Sequence, residues 1–362
     1  MSRQSIGRRF SGTVALIAAL AFITAGGCGS EKGGSQMTPV YSARVETDSA
    51  SGQPVIVLER SGAHPMSARI APRSGANLFS LTYDGKELLY ANSDLNQLPG
   101  YRFGTPVLYP APNRVAKGVF SFEGRTFDWG VNEKDRFLHA LVHSGPWENE
   151  TPTATADKAE VLTWLDFVPG TPYYEKFGYD HRLNLRFSLD SLGIKIEYEV
   201  VNRDSLSIPF GFALHPYFNF IDDRNRILLC VPAKAHMQAV DLMPTGELES
   251  LDGSVYDLRT PTAVGMLSLD EVYYGMEPQS PAFIEYQDSG LKLILKSSAD
   301  FTHMVVYAQP QNPFVCVENQ TCSTDAHNLH ARGLADVAHL LTAPPGEVFT
   351  GWVRYDIEPL SR

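Results

Sequence analysis

Short runs of apolar, β-branched and aromatic residues, separated by turn-forming residues, extend from residue 53 to residue 358. KIEYEV alternates apolar and polar positions, and PVIVLER, LKLILKSS, FVCVEN and VFTGWVRYDI have the composition of strands. DG, EG, DSG and NP mark turns between the runs. Roughly thirteen such runs with few helical periods predict an all-β fold, a large antiparallel β-sandwich. Residues 184–204 predict two strands that meet at a turn at residues 190–193.

A different pattern occupies the N-terminus. Three arginines within the first nine residues precede an apolar run at residues 13–25, and small residues lead from there to Cys28. This order is typical of an export signal, and the run is too short to cross a bilayer comfortably. The tetrapeptide AGGC resembles a lipobox, although Ala25 stands where a larger aliphatic residue is usual.

We therefore expect three segments along the chain. Residues 1–28 form a lipoprotein-type signal that ends at a lipid-bearing Cys28, residues 29–52 form a flexible polar tether, and residues 53–358 form one folded domain. The protein is then exported to the periplasm or the cell surface and held at a membrane by its lipid. A plain signal peptide, or an uncleaved anchor, stays open as an alternative.

Charge and cysteine content narrow the possible partners. The 362-residue chain has a formal net charge of −11 and no basic block, which argues against nucleic acid as a partner. Besides Cys28, three cysteines remain, and the spacing of Cys230, Cys316 and Cys322 fits no common zinc pattern. We expect buried thiols, and a bridge between Cys316 and Cys322 stays open because export permits disulfides.

Several polar residues stand among aromatic residues, as is usual in sugar-binding sites. They are Asn113 and Arg114 in PAPNRV, His139 in FLHALVHSGPW, His215 in GFALHPYFNF, Asp270 in LSLDEVYYGM and Glu318 in FVCVENQT. Taken alone, each fits a structural role, and a metal pair of His139 and His143 is not expected because their surroundings predict strand and loop. Glu318 is more informative, because a buried carboxylate must pair, meet solvent or do chemistry.

The order of these segments resembles the aldose 1-epimerase (galactose mutarotase) family over residues 75–321. The segments NRV, HPYF and FVCVENQT are the most specific part of the match. The resemblance implies a large antiparallel β-sandwich that interconverts the α and β anomers of a free aldose. It makes Glu318 the general base that takes the proton of the anomeric hydroxyl, and His215 the general acid that protonates the ring oxygen.

The same resemblance implies how the sugar is bound. Arg114 and His139 match family positions that hold sugar oxygens, Asp270 matches a hydroxyl-binding carboxylate more loosely, and Asn113 is expected to bind substrate beside Arg114. No metal or organic cofactor is implied, because opening a hemiacetal needs only proton transfers. Ala140 stands where the family usually has glycine, which puts the identity of the sugar in question more than the chemistry.

The expected substrate is a monosaccharide, a hexose, and we expect the protein to be a monomer or a weak dimer. Two other functions stay open at this point. One is an exported carbohydrate-binding protein that keeps the pocket without turnover, although binding alone does not require an acid–base pair. The other is a glycan hydrolase or lyase on the same fold, in which Asp270 would have to be the second carboxylate beside Glu318.

Overall fold

The computed structural model describes residues 40–91 and 94–360, and antiparallel strands make up most of this part of the chain. The signal segment 1–28 predicted from the sequence, with the lipid attachment at Cys28, lies outside the described residues. So does the first part of the predicted tether.

The N-terminal strands form a five-stranded antiparallel meander. Its strands are β1 (Tyr41–Thr47), β2 (Pro54–Arg60), β3 (Met66–Ala71), β4 (Asn77–Tyr83) and β5 (Lys86–Glu87). Strand β1 corrects the tether predicted for residues 29–52, because it pairs with β2 along its whole length. Its polar side chains suggested a loop, but an edge strand packs only one face and can keep polar residues on the other.

The remaining strands follow in chain order. They are β6 (Val107–Leu108), β7 (Arg114–Ala116), β8 (Val119–Phe122), β9 (Arg125–Asp128), β10 (Arg136–Leu138), β11 (Glu148–Asn149), β12 (Thr153–Ala154), β13 (Ala159–Phe167), β14 (His181–Leu189), β15 (Gly193–Asn202), β16 (Ile208–Phe210), β17 (Ala213–Leu214), β18 (Tyr217–Asn219), β19 (Ile227–Cys230), β20 (Ala235–Val240), β21 (Met243–Glu249), β22 (Thr262–Ala263), β23 (Leu269–Tyr274), β24 (Ala282–Tyr286), β25 (Leu291–Ser297), β26 (His303–Ala308), β27 (Phe314–Gln320), β28 (Leu341–Ala343) and β29 (Val348–Pro359).

Helices are few and short. They are α1 (Pro172–Phe177), α2 (Ala326–Ala331) and α3 (Ala335–Ala338), with single 3₁₀ turns at Leu95–Gln97, Arg224–Arg226 and Val264–Met266. Within the described ranges, no helix has the length and apolar character needed to span a bilayer.

Two large sheets dominate the fold. A ten-stranded sheet runs in the order β11-β13-β14-β15-β29-β25-β24-β19-β22, with β12 beside β13, and an eight-stranded sheet runs β21-β20-β23-β26-β27-β17-β6, with β18 beside β27. One hydrophobic cluster contains Leu185 and Tyr355 of the first sheet and Val306 and Val317 of the second. The predicted antiparallel β-sandwich is confirmed, and so is the hairpin turn at residues 190–193, which joins β14 to β15.

The three cysteines of the domain are all buried and free. The bridge between Cys316 and Cys322 that the sequence left open is therefore not formed. Cys316 lies in the middle of β27, and its burial raises the pKa of its thiol well above the usual value.

Candidate active site

The register of the eight-stranded sheet brings His215 and Glu318 together. Ala213 of β17 pairs with Gln320 of β27, and Tyr217 of β18 pairs with Cys316, so the intervening His215 stands opposite Glu318. On the other side of β27, Glu318 pairs with Val305. Because side chains alternate along a strand, Val306 and Val317 point into the core while Glu318 points away from it.

Glu318 and His215 form a buried pair whose side chains lie in close contact. Nε2 of His215 lies 3.2 Å from Oε1 of Glu318, and the two side chains are 8% and 2% exposed. Although this distance suits an ion pair, burial disfavours charge on both partners: it raises the pKa of Glu318 well above its usual value and lowers the pKa of His215 to about 3. Burial thus favours the neutral form of each partner.

Two neighbours hold this pair in position. Gln320, two residues after Glu318 and on the same face of β27, donates from Nε2 to Oε2 of Glu318 at 3.0 Å. The ring of Tyr217 stacks on the ring of His215, with centroids 4.7 Å apart and an interplanar angle of 5°. The hydroxyl of Tyr217 in turn donates to the carbonyl of Tyr101. Each oxygen of Glu318 thus has its own partner, and His215 has a fixed plane.

Arg114 is the centre of a charged cluster beside the pair. Its guanidinium donates to both carboxylate oxygens of Glu133, at 2.7 and 3.1 Å, and to Oδ1 of Asn113 at 3.0 Å. Asp270 lies at the edge of the cluster, 4.0 Å from Nη2 of Arg114. Burial raises the pKa of Asp270, and the charge of Arg114 opposes this shift. The bidentate pairing holds the guanidinium at a fixed angle.

His139 directly follows β10, the strand that pairs with β7 and so with Arg114. Leu138 of β10 pairs with Arg114 of β7, and the amide of the next residue, His139, donates to the carbonyl of Asn113 at 2.8 Å. Asn113 and His139 both have left-handed backbones, with φ of 60° and 53°, a conformation in which Asn and His are enriched. The His139 ring lies 5.2 Å from that of His215, and burial lowers the pKa of His139 well below its usual value.

A single cleft of about 550 Å³ contains all six residues predicted from the sequence to form a sugar site. These are Asn113, Arg114, His139, His215, Asp270 and Glu318. Their catalytic and binding roles stay predictions. Sequence reasoning missed Glu133, which lies in a turn just before the FLHALVHSGPW segment and is not itself part of a motif. It also missed Gln320, which the two-residue period of a strand puts on the same face as Glu318.

Metal ligation finds no support among the described residues. No group of three or more histidine, cysteine, aspartate or glutamate side chains there is arranged to hold a metal ion. His143, four residues after His139, contacts the ring of Tyr101 with centroids 5.8 Å apart.

A buried glutamate–histidine pair at the floor of a polar and aromatic cleft, on a large antiparallel sandwich, suits proton transfer to and from a sugar. The family model for aldose 1-epimerase matches residues 57–356. The chain belongs to the aldose 1-epimerase family. That membership confirms the resemblance inferred from the order of the sequence motifs.

Relatives with known names are distant. YihR, an uncharacterized protein of Escherichia coli K12, is 24% identical over 262 residues, which is 70% of this chain and 80% of that protein. Galactose mutarotase of Bos taurus is 26% identical over 181 residues, 47% of this chain and 50% of that protein. The matched region thus spans about half the length of the mammalian galactose mutarotases.

Solved structures show the same fold. A galactose mutarotase-like protein of Clostridium acetobutylicum aligns with a TM-score of 0.79 and 22% identity, over 89% of this chain and 99% of that one. The galactose 1-epimerase of Lactobacillus acidophilus NCFM aligns with a TM-score of 0.70 and 17% identity, also over 89% and 99%. At these identities the likeness concerns the fold.

Proposed function

We propose that this protein is an aldose 1-epimerase that interconverts the α and β anomers of a free aldose. The observation that carries the proposal is the buried pair at the floor of the cleft, with Nε2 of His215 at 3.2 Å from Oε1 of Glu318. General acid–base catalysis needs a proton acceptor and a proton donor within hydrogen-bond reach of two oxygens of one substrate. The anomeric hydroxyl and the ring oxygen of an aldose are bound to the same carbon, so one compact pair can serve both.

In the proposed ring opening, the Glu318 carboxylate takes the proton of the anomeric hydroxyl as the bond between C1 and the ring oxygen breaks. The imidazolium of His215 gives its proton to that ring oxygen. Rotation about the C1–C2 bond then exposes the other face of the aldehyde. In ring closure the two residues exchange roles, because His215 recovers a proton from the attacking hydroxyl and Glu318 returns one to the carbonyl oxygen.

This cycle uses both proton arrangements of the pair. The open-chain sugar faces a protonated Glu318 and a neutral His215, which is the arrangement that burial favours in the empty cleft. The closed sugar needs the proton on His215 instead. A sugar hydroxyl that donates to Glu318 favours the carboxylate form and so favours the proton on His215, whose Nε2 lies 3.2 Å from Glu318. Neither arrangement changes the net charge of the pair.

The polar residues around the pair suit the remaining sugar hydroxyls. Arg114 offers fixed guanidinium donors, and Asp270 and Asn113 offer acceptors on the same side of the cleft. His139 has a buried Nδ1 with no hydrogen-bond partner among the described residues, and a sugar hydroxyl would supply one. We assign these four residues to substrate binding.

The test is the polarimetric rate at which fresh α-D-glucose and α-D-galactose, and a panel of other aldoses, approach anomeric equilibrium. The wild-type protein should exceed the buffer rate on at least one common aldose. A protein that binds a sugar by calorimetry but leaves the buffer rate unchanged on every aldose would be a carbohydrate-binding protein instead. Release of shorter products from an oligosaccharide would indicate a hydrolase or lyase.

We also propose, from the sequence alone, that the protein is exported and anchored through a lipid on Cys28. Labelling of cells with a fatty-acid analogue should modify the wild-type chain and not a Cys28→Ser variant. Equal labelling of the two chains would contradict the anchor.

A further inference from the structure

The cleft contains a row of aromatic rings that the proton transfers do not use. The ring of Tyr217, which stacks on His215, has its centroid 4.9 Å from that of Phe314. The ring centroid of Phe314 in turn lies 5.0 Å from that of Tyr90. The ring centroid of Phe103 lies 6.0 Å from that of Tyr90, on the far side of the series. All four side chains line the cleft. We call Tyr217, Phe314, Tyr90 and Phe103 the aromatic row.

The aromatic row reaches farther than one sugar ring. Phe314 and Glu318 lie four positions apart on β27, so their Cα atoms are about 13 Å apart along the strand. An even spacing also puts both residues on the same face of the sheet. The anomeric carbon of a substrate has to lie beside Glu318. A single pyranose ring held there is too short to extend along the row as far as Tyr90.

The two middle rings of the row, Phe314 and Tyr90, line the cleft and do not pack into the interior, whereas Phe103 packs against a small hydrophobic cluster. Tyr90 and Phe314 are partly exposed, and neither packs against the hydrophobic clusters found among the described residues. Aromatic side chains usually bury much of their area in a core, so two partly exposed rings side by side need a reason. The apolar face of a sugar ring stacks on such a surface while its hydroxyl groups stay hydrated.

An amide beside the row also lacks a partner. Asn312 lies two residues before Phe314 and lines the same cleft, and its Nδ2 is buried without a hydrogen-bond acceptor. Buried donors are nearly always paired in folded proteins. A hydroxyl of a sugar stacked on Phe314 is an acceptor of the right kind for this amide.

We propose that the aromatic row is a subsite for a second sugar ring, and that the preferred substrate is the reducing end of a disaccharide or longer oligosaccharide. This inference rests on the proposed epimerase function. The reacting ring keeps its free anomeric hydroxyl at Glu318 and His215. The next ring, joined at a carbon other than the anomeric one, stacks on Phe314 and Tyr90.

The experiment compares mutarotation of glucose with that of maltose and cellobiose, which are reducing disaccharides of glucose. We expect kcat/KM of the wild-type protein to be about two- to tenfold higher for at least one disaccharide, the range that aromatic stacking supplies. Phe314→Ala should bring the ratio of disaccharide to glucose kcat/KM close to one, mainly through KM. Tyr90→Ala should lower the same ratio. This second variant tests the subsite if Phe314→Ala does not fold.

Phe283→Ala is the matched control. Phe283 lies in the ten-stranded sheet, outside the cleft, with Nζ of Lys292 at 3.6 Å from its ring centroid. This variant should keep the wild-type ratio. A loss of the ratio in Phe283→Ala as large as that in Phe314→Ala would contradict a local subsite.

The outcomes separate this inference from the proposed function. If the wild-type protein turns over glucose and both disaccharides with equal kcat/KM, the subsite is overturned while the epimerase function stands. If no sugar is turned over, the epimerase function fails, and calorimetry decides the subsite by itself. Tighter binding of cellobiose than of glucose, abolished in Phe314→Ala, would then support the subsite, and equal binding would overturn it.

Discussion

Two histidines lie beside carboxylates, yet their pKa values shift in opposite directions. His215 lies 3.2 Å from Glu318, and burial lowers its pKa to about 3. His236 of β20 lies 2.7 Å from Glu271 of β23 and 3.3 Å from Glu249 of β21. Burial alone would lower the pKa of His236, but its two carboxylate partners raise it above the usual value.

His215 is desolvated more deeply than His236, and the carboxylate partners also differ in exposure. His215 and His236 are both nearly inaccessible to water, with side chains 8% and 4% exposed. The Glu318 side chain is 2% exposed, whereas those of Glu271 and Glu249 are 22% and 44% exposed. Water supports the negative charge of the second pair, and two such charges favour an imidazolium. His236 therefore links three strands, whereas burial favours the neutral forms of the enclosed His215 and Glu318.

The largest expected effect separates the two pairs by activity. Glu318→Gln and Glu271→Gln make the same chemical change in the two clusters. The first should lower the mutarotation rate by about 100- to 10,000-fold, the range of a lost general base. The second should stay near the wild-type rate, because Glu271 points away from the cleft. Similar losses in both variants, measured by polarimetry, would refute the contrast.

The next effect concerns acid stability and the pair in the cleft. Folded His215 stays neutral down to about pH 3, whereas the unfolded side chain takes up a proton below about pH 6.5. The contribution of His215 by itself therefore destabilises the fold as the pH falls from 6.5 towards 3, while the raised pKa of Glu318 contributes with the opposite sign. His215→Asn removes this penalty. The free energy of unfolding of the variant, relative to that of the wild type, should therefore rise by about 2 kcal/mol as the pH falls from 7 to 5. Urea unfolding of both proteins at both pH values measures this change. The same difference in the free energy of unfolding at pH 7 and at pH 5 would contradict the prediction.

A smaller effect tests how Glu318 is held. Gln320 donates the hydrogen bond that keeps the pKa of Glu318 from rising further. Gln320→Leu should move the rising limb of the pH–rate profile to higher pH and slow mutarotation at neutral pH by up to about tenfold. Gln238→Leu is the matched control, because Gln238 donates to Glu249 at 3.0 Å in the other cluster. A shift of the profile in Gln238→Leu would contradict this assignment.

The smallest effect has the opposite sign to that of His215. Because the pKa of His236 is raised in the folded state, the protonated ring stabilises the fold below about pH 6.5, and this contribution is lost as the pH rises through the raised pKa. His236→Asn should therefore lower the free energy of unfolding by about 1 kcal/mol at pH 5.5 and by less at pH 8.5. Urea unfolding of the variant and the wild type at the two pH values gives the comparison. A loss of stability in His236→Asn that grows with pH would contradict the prediction.

Much of this arrangement could be predicted from the chain. Alternating runs predicted the strands and the turn at residues 190–193, because a half-buried strand has a two-residue period. The order of three short motifs predicted that Arg114, His215 and Glu318 belong to one site. The tether was predicted too long, since β1 is an edge strand with polar side chains and differs little in composition from a loop.

Contacts between distant segments could not be predicted in this way. Glu133 reaches Arg114 from a loop, and the His236 cluster draws on three strands that are adjacent only in the folded sheet. Neither set of residues carries a motif. Their meeting depends on register and strand order, which local sequence does not specify.

By itself the sequence determined the all-β class, the family and the residue types of the cleft, because periodicity and short motifs are local properties of the chain. Tertiary structure alone decided that the pKa of His215 is lowered and that of His236 is raised. Both histidines lie beside glutamates, and the sequence around them does not show how much water reaches each side chain. That exposure depends on the packing of whole sheets, which encloses Glu318 and leaves Glu271 and Glu249 partly open to water.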